Sequence, residues 1–425
     1  MPTHPPTSIA NESSLSYTGW RVTMAAFVGV MVSFAAIVPY TFSLFLSPLQ
    51  LAFGWKREAI SRGFALAALT VAACSPFLGS LLDRLPPRRI ILPCIAIFAV
   101  GIASLSLLKG HIGQFYATYV VLGVVGNGTA QLAYSRAVLT WFDRRRGLAL
   151  AVVLAGSGTG SILLPMLAQH VIGAYGWHDA YLVLGVVALL GLPLTAWLVR
   201  NNPAAEAVAT ESASLTTISG VLKTSTFWLI AIPVLLSALS LNGTIAHLAA
   251  LLTGRSVTPA SAALALSMLG LSGIVGRLIT GHLLDRVFAP MVSLTVLLIA
   301  AAGIVTVAYA TSAPMGILGA FLIGFGAGSE ADVVPYLIAK YFGRSRFSTL
   351  YGLSWTAYAV GAAFGPVLMG RAFDRAGSYV PSTVLLLSAP LFVAAFLQLL
   401  LPRYAEDSRA SSSVLLTGAA TDLSM

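Results

Sequence analysis

The strongest constraint on this chain is the recurrence of apolar runs of roughly 20 residues, from Trp20 to Arg403, separated by short polar connections. A run of that length, rising 1.5 Å per residue as a helix, crosses a hydrocarbon core about 30 Å thick. Twelve helices are expected, at about 20–47, 58–82, 89–108, 114–140, 147–173, 179–199, 225–252, 259–284, 289–310, 314–339, 347–371 and 380–402. Composition agrees, because 57% of the residues are hydrophobic and 9% are charged, against about 25% charged in soluble domains. The fold class expected is therefore an all-α membrane protein.

The net charge of +10 raises the question of an acidic partner, and the placement of the charges answers it. Arg84, Arg88 and Arg89, then Arg144, Arg145 and Arg146, then Lys340, Arg344 and Arg346 cluster in alternate loops, whereas the intervening loops carry Lys56, Lys109 and Arg255. This bias puts both termini in the cytoplasm, with the bilayer rather than a nucleic acid as partner, and the bacterial cytoplasmic membrane is the expected location. Cys74 and Cys94 lie in apolar segments without CxxC spacing and read as packing residues. No basic stretch followed by an apolar core opens the chain, so no cleavable signal is expected and the first helix directs insertion. Residues 1–16 and 404–425, rich in Ser, Thr, Ala and Pro without periodicity, read as disordered cytoplasmic tails.

A polar stretch at 201–223 divides the chain into 17–200 and 224–403, and the two parts repeat. GSLLDR at 79–84 returns as GHLLDR at 281–286, a shift of 202. With a shift of 200, Gly126, Gly128, Trp141, Phe142, Arg144 and Arg146 meet Gly326, Gly328, Tyr341, Phe342, Arg344 and Arg346. Two pseudo-symmetric six-helix halves around a midplane site resemble the major facilitator architecture, which implies a transporter rather than a receptor or an intramembrane enzyme.

Specific motifs narrow the resemblance. GSLLDRLPPRR resembles the major facilitator signature between helices 2 and 3, which implies that Gly79, Asp83 and Arg84, with Gly281, Asp285 and Arg286, form a cytoplasmic conformational latch. The alternative is that these charges only set topology. WFDRRRGLALAVVLAGSGTG, from Trp141 to Gly160, holds a GxxxG pair at Gly156 and Gly160 whose plain reading is close helix packing. Its aromatic-Phe pair, basic triplet, Leu148-Ala149, Ala155-Gly156 and Gly160 also resemble the helix-5 signature of monocarboxylate transporters and the bacterial oxalate/formate antiporters. Tyr17-Thr18-Gly19-Trp20 is a looser counterpart of that group's Gly/Trp-rich motif before helix 1.

Arg277 lies within the run LGLSGIVGRLITGHLLDR, where a cation is expensive, about 2.5–3.5 kcal/mol on insertion scales. The resemblance to monocarboxylate transporters implies that it binds the substrate carboxylate, and a planar, permanently charged guanidinium suits that task. It also stands about two turns from Asp285, so snorkelling to the interface or a permanent pair with an acid are competing readings. The likeness departs at Gly273, where those transporters often have an acid, and in helix 1, where Tyr40 stands near the position of a lysine in animal members. Glu330 and Asp332 on helix 10 are the candidate proton-coupling acids; two positions turn a helix about 200°, so one faces the substrate route and the other a neighbouring helix. Tyr40, Asn127, Gln131, Tyr336 and Tyr358 are the further substrate-site candidates, with Tyr134, Asn242, His247 and Trp355 weaker ones, and helix packing is the competing role for each.

No metal-ligand set, Walker loop or nucleophile-base arrangement is legible, so no cofactor, no metal and no enzymatic activity are expected. The expected function is secondary active transport of a small organic anion, a mono- or dicarboxylate, by a monomer coupled to protons or to a counter-anion. Proton-driven efflux of amphipathic compounds and a non-transporting ligand sensor are the alternatives.

Overall fold

In the computed structural model, the described residues are Ser14 and residues 17–142, 145–199, 224–284, 286–342, 347–379 and 381–403. The expected linker at 201–223 lies outside them, as do the tails at 1–16 and 404–425 apart from Ser14.

Backbone N–H and C=O groups in an apolar layer have no water to bond, so each segment closes its hydrogen bonds internally as a helix. The elements before the linker are α1 (Thr18–Met31), α2 (Phe34–Phe53), α3 (Arg57–Arg84), α4 (Pro87–Ser104), a 3₁₀ turn at Leu105–Leu107, α5 (Ile112–Thr129), α6 (Gln131–Leu139), α7 (Arg146–Tyr175), α8 (Trp177–Leu189) and α9 (Gly191–Leu198). After it come α10 (Ser225–Thr253), α11 (Pro259–Leu284), α12 (Ala289–Ala308), α13 (Ala313–Phe342), α14 (Phe347–Ala376) and α15 (Pro381–Leu399), and no strand occurs among the described residues. Nine helical spans among the described residues are long and apolar enough to cross a membrane, from Thr18–Phe53 to Ala313–Phe342.

Three segments expected as single helices are divided. Ser33 adopts an extended backbone (φ −83°, ψ 173°) between α1 and α2, and Ala130 does the same (φ −86°, ψ 178°) between α5 and α6. The two breaks meet, because the Phe34 N–H left free at the start of α2 donates to Thr129 Oγ1 at 3.2 Å. Gly126, Gly128 and Thr129, poor helix formers, precede the second break. Between α8 and α9 the deviation is milder, and Pro193 supplies a reason, since it cannot donate to the carbonyl one turn earlier.

The buried apolar residues divide into three clusters, and their placement gives the molecule its shape. Near the start of α3 one core unites helices from both sides of the linker, from Phe42, Phe45 and Phe115 to Leu248, Leu266 and Leu391. Two further cores stand apart from it, each confined to one side of the linker. Val22, Ala26, Ile91, Tyr134, Phe142 and Val153 form one from the earlier helices, and Phe227, Ile230, Val292, Leu337 and Leu350 form one from the later helices. Helices from opposite sides of the linker meet as α3 on α14, α7 on α11 and α2 on α10. On α7 and α11 the approach is close enough for Ser267 Oγ to donate to the Ile162 carbonyl at 2.5 Å.

Candidate functional site

Arg277 lies half-buried on α11 and, among the described residues, makes no ion pair and no hydrogen bond. Four groups from three other helices stand within its electrostatic reach: Tyr40 of α2, Asp332 of α13, and Tyr351 and Tyr358 of α14. Residues 351, 355 and 358 recur at helical spacing on one face of α14, and there the Trp355 and Tyr358 rings stack with centroids 5.0 Å apart and planes 10° apart. Asn242 of α10 donates to the Tyr358 hydroxyl at 3.3 Å and to the Ala238 carbonyl at 2.9 Å. Among the described residues Arg277 thus has five unused N–H donors, with phenols, an aromatic wall and one carboxylate not in contact with it nearby. A guanidinium so placed can bind a small anion in bidentate fashion.

The two acids of α13 point to different neighbours, as their 200° separation requires. Asp332, half-buried, is the one on the Arg277 side. Glu330, 9% exposed, accepts a hydrogen bond from Ser237 Oγ of α10 and faces a small cavity toward α12 and α15. Close packing of α11 on α13 sets both positions, since the backbones of Gly273 and Gly328 touch and a side chain at Gly328 would occupy the Gly273 backbone.

The remaining candidates do not gather around Arg277. Asn127 spends both amide hydrogens on α3, donating to the Val71 carbonyl at 2.9 Å and to Ser75 Oγ at 2.5 Å. Gln131 is exposed at the start of α6, and Tyr336 is half-buried with Lys340 Nζ 5.8 Å above its ring. Of the latch residues, Gly281 has open space where a side chain would go and Arg286 is exposed. Asp285 and the side chains of Asp83 and Arg84 lie outside the described residues, as does the surrounding of Gly79. Among the described residues no group of three His, Cys, Asp or Glu side chains could hold a metal ion.

The sequence signatures turn out to be in mutual contact. The Tyr17 hydroxyl donates to the Trp141 carbonyl, and the Phe142 ring meets Tyr17 edge-on at 5.5 Å and Trp20 at 4.9 Å. Gly156 and Gly160 of α7 lie on the backbones of Phe27 and Met31 in α1, so the GxxxG pair acts in close packing.

Comparison with known proteins gives these contacts their family. The Major Facilitator Superfamily matches residues 22–366. The chain belongs to this superfamily. Relatives of this facilitator include an uncharacterized MFS-type transporter of Escherichia coli, YhjX, 23% identical over 78% of this chain and 84% of that one. Monocarboxylate transporter 11 of Mus musculus is 25% identical over 91% of this chain and 88% of its own. Monocarboxylate transporter 13 of Bos taurus is 26% identical over 86% and 85%. The fold matches the nucleoside transporter NupG with a TM-score of 0.76 at 13% identity, covering 91% of this chain and all (100%) of that one. A bacterial homologue of the human lysosomal transporter Spinster, in an inward-facing and occupied conformation, matches with a TM-score of 0.71 at 15% identity, covering 91% and 96%. The protein is an integral membrane transporter of this superfamily, and members of the superfamily are not enzymes.

One element of this facilitator went unread in the sequence. At the end of α14, Gly370 and Asp374-Arg375 repeat the G-x-x-x-D-R spacing of Gly79, Asp83 and Arg84. The Gly370 backbone lies against Arg57 and Glu58, and the Asp374 carboxylate accepts the Arg57 N–H at 3.0 Å and the Glu58 N–H at 2.8 Å. A carboxylate there caps the positive end of α3 and ties α14 to it. The Arg57 guanidinium covers the Phe373 ring at 3.7 Å and donates to Gln50 Oε1 at 2.9 Å. Beneath it, His247 Nε2 lies 2.9 Å from the Pro366 carbonyl, which only accepts, so Nε2 carries the proton and Nδ1 accepts from Tyr379 O–H at 2.7 Å. Burial raises the Tyr379 phenol well above its ordinary pKa, which keeps that donor protonated. Burial likewise lowers Arg255, whose Nη2 donates to the Tyr379 carbonyl at 2.7 Å.

Proposed function

We propose that the protein is a secondary active transporter of a small organic anion, a mono- or dicarboxylate, coupled to protons or to exchange with a counter-anion. The observation that carries this reading is Arg277: a half-buried guanidinium on an apolar helix, with no anionic partner in contact among the described residues and within electrostatic reach of Tyr40 and Tyr358. A charge so placed calls for an anionic ligand. The relatives named monocarboxylate transporters support the substrate class. In this reading Arg277 binds the carboxylate, Tyr40 and Tyr358 shape the pocket, and Asp332 and Glu330 serve coupling.

Transport proceeds by alternating access between two six-helix halves, 17–200 and 224–403, joined by the cytoplasmic linker 201–223. One apolar core shared by both halves near Arg57, with two further cores each confined to one half, suits a state closed at the outer face and open to the cytoplasm. Asp374 on the N-terminus of α3 is then an outer closure, and Gly79, Asp83, Arg84, Gly281, Asp285 and Arg286 form the cytoplasmic latch that engages when the halves rock the other way. Both termini lie in the cytoplasm, the membrane is the bacterial cytoplasmic membrane, and one chain suffices.

Uptake by proteoliposomes across a panel of carboxylates tests this directly. Arg277→Ala is expected to lower carboxylate transport and affinity by about 100-fold or more, as truncating one partner of a desolvated charge pair does. Transport at the wild-type rate and affinity in that variant would remove the assigned role.

A further inference from the structure

A small cavity lies between α10, α12, α13 and α15, with about 20 Å³ of room, the scale of one water molecule. Its polar lining is Ser237, Ser293, Glu330 and Gln398, set among apolar residues such as Pro233 and Leu297. Glu330 is 9% exposed and makes no ion pair among the described residues. Gln398 is 3% exposed, and its Oε1 has no hydrogen-bond partner among the described residues. A buried carboxylate with a single hydroxyl donor and an orphan amide oxygen thus border one void, and burial makes their unused acceptor capacity costly.

The chemistry of the lining selects the occupant. Among the described residues the cavity's polar lining offers carboxylate, hydroxyl and amide oxygens and no cationic side chain, so it disfavours anions, and its size excludes organic ions. A small hard cation prefers such an all-oxygen set. Ser237 is adaptable, because its Oγ lies 2.8 Å from the Pro233 carbonyl and 3.0 Å from that of Val234. Its single proton can therefore turn from Glu330 to the backbone and leave a lone pair for a cation. We propose that this cavity is a binding site for a small monovalent cation, a sodium ion or a hydrated proton, held by Glu330, Ser237, Gln398 and Ser293.

The site's consequence for coupling rests on the transporter reading; its occupancy does not. Glu330 and Asp332 ride the same helix, one toward the cation cavity and one toward Arg277, so filling the cavity shifts α13 and the anion site together. The titratable group that reaches Glu330 from a neighbouring helix is Tyr358 of α14, while α10, α12 and α15 present Ser237, Ser293 and Gln398 to the cavity, and Asp332 stands on the far face of α13.

The test is the thermal unfolding of the purified full-length protein in detergent, in NaCl against choline chloride at equal ionic strength, at pH 8 and at pH 6. Sodium at pH 8, acidification without sodium, or both are expected to raise the wild-type Tm by about 2 °C or more. Glu330→Gln and Gln398→Leu are each expected to abolish that response, and Gln398→Leu decides the matter if Glu330→Gln does not fold. A response to sodium alone identifies sodium, a response to acid alone identifies the proton, and a response to both identifies competition for one site. An indifferent wild type, or a response that survives in either folded variant, overturns the proposal. Arg277→Ala keeps the two readings apart: it should lose stabilisation by carboxylates while retaining the response to the cation.

Discussion

Ser75 and Arg277 occupy corresponding positions of the internal sequence repeat, 202 residues apart, and their surroundings differ instructively. Ser75 Oγ donates to the Val71 carbonyl at 2.7 Å and accepts from Asn127 Nδ2 at 2.5 Å, so its hydrogen-bonding capacity is used between α3 and α5. Arg277 has no such partner among the described residues, and the residue that matches Asn127 under the shift of 200 is Ala327, which offers no polar group. The first position is saturated and serves packing. The second is left with charge and donors to offer, in sight of Tyr40, Asp332 and Tyr358. The residue that breaks the repeat is the one the proposed anion site rests on.

Substitutions at both positions can break or sharpen that contrast. Beyond the loss expected of Arg277→Ala, Arg277→Lys keeps the charge and removes the planar fork, and carboxylate affinity should fall about tenfold or more in a ligand-dependent thermal-shift titration. Wild-type affinity in the lysine variant would mean that the site reads charge alone. Asp332→Asn removes the carboxylate that competes for the field of Arg277, so carboxylates should bind about three- to tenfold tighter while a pH gradient drives less uptake. Unaltered affinity and drive would detach Asp332 from the site. The smallest effect belongs to the saturated side: Asn127→Ala should cost about 1 kcal/mol of stability with no change in carboxylate affinity. A large loss of affinity there would erase the distinction between the two positions.

Much of the scaffold was legible from apolar run length, because each segment meets the bilayer constraint on its own. The breaks at Ser33 and Ala130 were not, since the local sequence is compatible with continuous helices and the free Phe34 N–H is satisfied by Thr129 from a distant segment. The spacing Gly370, Asp374, Arg375 was on view in the chain but gained meaning only when α14 brought it to the start of α3. Around the candidate site, Arg277, Glu330 and Asp332 stood out because charge is rare in apolar runs, whereas Ser237 and Gln398 resembled any packing residue.

The sequence by itself determined that this is a helical membrane protein of the major facilitator superfamily, and which few charged residues lie inside its apolar segments. Those properties follow from transfer of single segments into an apolar medium and from motifs local to the chain. Tertiary structure decided what each charge faces: Asp332 the side of Arg277, Glu330 the hydroxyl of Ser237, Asp374 the N-terminus of α3. The reason is geometric, because helical periodicity fixes the angle between two residues on one helix and leaves the neighbour on each face to be set by packing between helices far apart in the chain.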